Sequence, residues 1–174
     1  DATAPTVKLT GLYDGVSYGH SEDKVVSWQG EDAASGVGSV TAALDGAPVT
    51  SGATLSMHTL ALGAHTLALT ATDKAGNKRD MVVSFTVTTS LPDLQALVDR
   101  FSAERRITSS VARGLDRDLD DARRLLFDGK RAEAVKKLEG FRDAVARKVT
   151  DQAVRDLLVA DAEVVIAAVR GQAG

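Results

Sequence analysis

Met81-Val82-Val83-Ser84-Phe85-Thr86-Val87-Thr88-Thr89-Ser90-Leu91-Pro92-Asp93-Leu94-Gln95-Ala96-Leu97-Val98 contains a change of period. Up to Val87 the pattern alternates, with Val83, Phe85 and Val87 on one face, as a half-buried strand requires. From Leu91 onward Leu94, Leu97, Val98 and Phe101 fall on one stripe of a 3.6-residue helix, opened by Pro92 and Asp93 in its first turn. Two classes of element therefore meet at Thr88–Pro92, and the chain divides there.

Upstream of that stretch the period of two persists. Val26 and Trp28 share a face in Val25–Gln29, and Val37–Leu44 alternates as well. In His65–Thr72, Thr66, Ala68 and Thr70 oppose Leu67, Leu69 and Ala71. Turn signals separate these runs at Tyr13-Asp14-Gly15, Ala34-Ser35-Gly36, Asp45-Gly46, Leu62-Gly63 and Lys74-Ala75-Gly76-Asn77. Asp45-Gly46 is the strongest hairpin signal. About seven short strands predict an antiparallel β-sandwich over residues 1–89.

Downstream, three more apolar stripes follow the first. They are Val111, Leu115, Leu119, Ala122 and Leu126; then Ala134, Leu138, Phe141 and Val145; then Val154, Leu157, Leu158, Ala162, Val165 and Ile166. Gly129 closes one helix, and Thr150 is the expected N-cap of the last. Short connections predict an all-α antiparallel four-helix bundle over residues 90–174.

The 174 residues include no cysteine, which excludes disulfides, thiol nucleophiles and thiolate metal sites. A net charge of −3 argues against nucleic-acid binding. It divides into −4 over residues 1–90 and +1 over the remainder. No apolar run reaches the roughly 18 residues that a membrane span needs. Beginning at Asp1 rather than Met, the chain reads as a piece processed or excised from something longer.

Each half also resembles a bacterial module family. Ala4-Pro5-Thr6-Val7, Val26-Ser27-Trp28, Ser35-Gly36-Val37, Leu44-Asp45-Gly46, Leu62-Gly63-Ala64-His65-Thr66-Leu67 and Ala71-Thr72-Asp73-Lys74-Ala75-Gly76-Asn77 resemble the immunoglobulin-like repeats of secreted and surface proteins. Phe101, Ile107, Leu115, Leu119, Ala122, Gly129, Ala134, Leu138, Phe141 and Val145 resemble the FIMAH module, a small helical unit near the C-terminal end of bacterial secreted hydrolases. The first resemblance implies a scaffold, and the second transfers no catalytic role.

Candidate sites are few. Asp116-Arg117-Asp118-Leu119-Asp120-Asp121 fails as a calcium loop, because positions six and twelve hold Asp121 and Phe127 instead of Gly and a carboxylate. It reads as a solvated helix face with an Arg117–Asp121 pair. Asp1, Asp32, Asp73 and Asn77 are hard oxygen donors expected at one end of the sandwich, so they suit a structural Ca²⁺. The same residue types also stabilise turns without any metal.

His20, His58 and His65 lack zinc spacing, and His65 is expected at an exposed or edge position. Gly-x-Ser-x-Gly is absent, and no carboxylate pair stands out, so the segment is expected to be non-catalytic. Tyr13 and Tyr18 flank a loop and are the candidate sugar contacts, since pyranose faces stack on exposed rings. Trp28 is expected in the core, and Phe101, Phe127 and Phe141 on the apolar side of the helices or at its edge. The Arg and Lys residues of the helical half are matched by nearby acids, as on a solvated face.

The resulting expectation is an accessory C-terminal region of a larger secreted or cell-surface bacterial protein. That parent is expected to be a hydrolase acting on polysaccharides or esters. The segment would be monomeric, would serve an upstream catalytic domain of the same polypeptide, and would need no cofactor beyond the Ca²⁺ considered above. The alternatives are a module binding carbohydrate or a cell-wall polymer, and a surface-adhesin fragment.

Overall fold

The computed structural model describes residues 2–171. Two compact units divide between Thr88 and Thr89. The first contains β1 (Thr6–Thr10), β2 (Ser17–Gly19), β3 (Asp23–Glu31), β4 (Val37–Leu44), β5 (Ala47–Val49), β6 (Ala53–Ser56), β7 (Gly63–Asp73) and β8 (Lys78–Thr88). β1-β3-β6 form one sheet and β2-β8-β7-β4-β5 the other. All pairings are antiparallel except that of β2 with β8. Among the described residues this sandwich-like arrangement has eight strands where about seven are expected, and β2, β5 and β6 are too short to display a period.

The inward faces are those that the alternation marks. Val26, Leu44, Leu67, Leu69, Phe85 and Val87 are buried together with Leu12 and Met57. Burial of such side chains is worth about 1.5–3 kcal/mol each relative to exposure. Trp28 is half-buried and packs against this core.

β4 turns into β5 through Asp45 (φ 49°) and Gly46 (φ 84°). Two left-handed residues match the twist of the flanking strands, and Asp tolerates that conformation better than most side chains. Gly11 (φ +95°) has a further constraint: a Cβ there would stand 2.0 Å from the Val25 carbonyl oxygen.

The second unit contains α1 (Leu91–Ala103), α2 (Ser109–Phe127), α3 (Arg131–Lys148) and α4 (Gln152–Gly171). α1 packs on α2 and α4, α2 on α3, and α3 on α4. Leu94, Phe101, Leu115, Leu119, Leu138, Phe141, Leu158 and Ile166 belong to one shared core. Ser90 caps α1 by accepting from the Asp93 N–H, and Thr108 caps α2 through the Val111 N–H. α4 is capped by Asp151 rather than Thr150, since the Asp151 carboxylate accepts from the Val154 N–H at 3.1 Å.

Candidate functional site

The chemistry available to each unit follows from what its polar side chains already bind. The Asp32 carboxylate accepts from the backbone N–H groups of Ala34, Ser35 and Gly36 at 3.2, 2.8 and 2.7 Å. Asp73 divides its oxygens between the Asn77 N–H and the Asn77 amide NH₂, each at 2.8 Å. Burial of Asp73 raises its pKa, but the Asn77 and Ser35 bonds outweigh that and hold the carboxyl below its usual range.

The fold brings these turns to the same place. Lys74 N–H donates to the Gly36 carbonyl at 3.0 Å, and the Asn77 amide reaches the Thr3 carbonyl at 3.5 Å. The oxygens of Asp32 and Asp73 thus close turns, and the Asn77 amide contributes its NH₂ there. Asp1 lies outside the described residues. Among the described residues, no group of three or more His, Asp or Glu side chains is arranged to hold a metal ion.

The two tyrosines separate. Tyr13 is 61% exposed and Tyr18 only 5%. The Tyr18 ring meets Phe85 edge-on at 5.8 Å, and its hydroxyl oxygen accepts from the Tyr13 N–H at 3.0 Å. A paired stacking platform is therefore not formed, because β2 turns Tyr18 into the core. His65 is likewise buried rather than exposed or at an edge. β7 lies between β8 and β4, and residue 65 has the same parity as Leu67, Leu69 and Ala71.

In the helical unit Asp116–Asp121 continues α2, and Asp116, Asp120 and Asp121 are used for bonding. Gln95 donates to Asp116 at 2.7 Å. Burial, with repulsion from Asp99 and Asp120, nevertheless raises the Asp116 pKa. Arg123 pairs with Asp120 at 2.6 Å. The Arg117–Asp121 pair does not form: Arg117 donates to the Arg113 carbonyl, while Asp121 takes Lys137 at 2.9 Å and Arg124 at 3.1 Å. The Lys137 bond, with its charge, holds the Asp121 carboxyl low.

Residues 91–167 match the family model of the FIMAH domain. No curated protein matches the chain. Among solved structures, a chain from "Structures of Clostridium thermocellum CbhA fibronectin(III)-like modules" aligns at 20% identity with a TM-score of 0.39. That alignment covers 49% of this chain and 47% of the other, so the chain spans about half the length of that solved chain.

The FIMAH-matching stretch holds two features that sequence reading missed. Phe127, at the end of α2, is 91% exposed, whereas Phe101 and Phe141 are buried. It falls one position past Leu126, off the stripe formed by Leu115, Leu119 and Ala122. Asp161 is fully buried and accepts from the Thr89 hydroxyl at 2.7 Å. Its place three residues after Leu158 marks it as inward-facing, a signal available in the sequence.

Proposed function

We propose that the chain is a non-catalytic accessory region of a larger secreted bacterial hydrolase that degrades polysaccharides or esters. In this reading an immunoglobulin-like domain over residues 1–89 acts as a spacer. An antiparallel four-helix bundle over residues 90–174, next in the chain, acts as the interaction unit. The observation that carries the reading is the FIMAH match over residues 91–167, joined to a β unit whose Asp32 and Asp73 are bonded to their own turns. A FIMAH match fits an accessory module. The 174 residues assayed alone on a glycan and ester panel should give no turnover. Hydrolysis at enzyme-like rates would overturn the reading.

A second reading is favoured by one observation, the outward rings of Tyr13 and Phe127. Exposed aromatic faces are what sugar- and wall-binding modules use. Sedimentation with insoluble polysaccharides separates the two. A spacer stays in the supernatant with every polymer, whereas a binding module is depleted, and Tyr13→Ala or Phe127→Ala restores it.

A further inference from the structure

His65 faces two acceptors from inside the β unit. Its Nδ1 lies 2.6 Å from an Asp45 carboxylate oxygen, and its Nε2 lies 2.7 Å from the Ala61 carbonyl oxygen. A neutral imidazole has one N–H and one lone pair, so only the imidazolium can donate to both. The groups around it agree with that state. Asp45, on the β4–β5 turn, is the charged side chain that faces it, and β8 contributes the Phe85 ring, stacked at 5.6 Å. Phe85 in turn meets the Tyr18 ring edge-on, and the connector after the short 3₁₀ turn Met57–Thr59 contributes the Ala61 carbonyl. The preceding carbonyl of that connector, Leu60, faces the Nε2 of buried His20 at 3.0 Å.

We propose that His65 is a pH-gated clamp: as an imidazolium it joins the Asp45–Gly46 turn to the Leu60–Leu62 connector, and on losing its proton it releases the connector. The side that opens follows from acceptor strength. Carboxylate is the stronger acceptor, so the remaining N–H stays on Nδ1 against Asp45. Nε2 then presents a lone pair to the Ala61 oxygen, and two acceptors repel. Asp45 keeps its turn in any case, since its other oxygen accepts from the Thr66 N–H at 2.9 Å.

Titration should follow a definite sign. Burial lowers the His65 pKa, but the bonds to Asp45 and Ala61 and the Asp45 charge outweigh it, and the net shift is upward from 6.5. The clamp's contribution is thus fully present below about pH 6.5 and is lost as pH rises through the higher folded value. The Asp45 pKa is lowered from 3.8, chiefly by the His65 bond. Its contribution is present above about pH 3.8 and is lost as pH falls through the lower folded value.

The test is an NMR titration of the full chain between pH 5 and 9, following the three imidazoles and the backbone amides. His20→Gln and His58→Gln assign the His65 signal by elimination. The expected result is a His65 midpoint above 6.5, with the Leu62 and Gly63 amides moving with it more than those of Asp45 and Gly46. Asp45→Asn, which suits the left-handed turn position, should lower the midpoint. A wild-type midpoint at or below 6.5 would overturn the clamp. So would connector amides that do not follow it, or a midpoint that Asp45→Asn leaves in place.

Discussion

Arg106 grips both oxygens of Asp151, Nε to Oδ2 at 2.9 Å and Nη2 to Oδ1 at 3.1 Å, while Oδ1 also caps α4. One carboxylate therefore fixes the α1–α2 connection and the start of the last helix together. The Arg106 guanidinium also lies 5.2 Å from the Phe101 ring centroid, which seats it against the core. Asp151→Ser retains a capping oxygen but loses the ion pair, so it should lower the melting temperature less than Asp151→Ala. Arg106→Ala should cost little more once Asp151→Ala has already removed its partner. The Arg106 bond, followed by the Val154 N–H bond, keeps the Asp151 pKa below 3.8. The pair's contribution is therefore present above that pH and is lost on acidification through the lower folded value. Thermal melts of the three single variants and the double variant at pH 7 and pH 3 check this.

Gly11 and Gly46 separate backbone strain from collision. Both have positive φ, but a Cβ at Gly46 meets nothing within 4 Å. Gly46→Ala should cost about 1 kcal/mol, the penalty for a left-handed alanine. Gly11→Ala adds the clash with the Val25 carbonyl and should cost several times as much. Urea titrations followed by Trp28 fluorescence measure both.

Phe127 and Phe141 are the same side chain in opposite settings. Phe141→Ala empties a fully buried site and should cost about 3–5 kcal/mol. Phe127→Ser should change stability by no more than about 0.5 kcal/mol, as expected for an exposed position. Chemical denaturation followed by the helical circular-dichroism signal compares them.

Calcium should leave the melt unchanged. Asp32 Oδ1 and both Asp73 oxygens already accept N–H groups, so a cation would compete with those bonds for the same oxygens. Melting curves in Ca²⁺ and in chelator are expected to superimpose, and Asp73→Ala to lower both equally. A rise in melting temperature with Ca²⁺ alone would identify these residues as ligands.

Each unit carries its own core, so residues 1–88 and 89–174 expressed separately should both fold. The first should give a β-type circular-dichroism spectrum and the second a helical one. An unfolded half would show that its stability depends on the other.

Sequence by itself determined the two kinds of element and the break between them. Hydrophobic periodicity is a local property, and it marked the buried residues of β7, β8 and the four helices. Asp45-Gly46 announced its hairpin because only residues that tolerate positive φ make that turn. What a residue binds once placed required the tertiary structure, because hydrogen-bond partners come from distant parts of the chain. His65 meets Asp45 from twenty positions away and Arg106 meets Asp151 from forty-five. Tyr18 and Tyr13 are close in sequence yet differ in exposure, because the register of β2 on β8 sets Tyr18 beside buried Val87 and so turns that ring inward. Composition and period specified the layers, and the exchange of hydrogen bonds across them decided which side chains were left over for function.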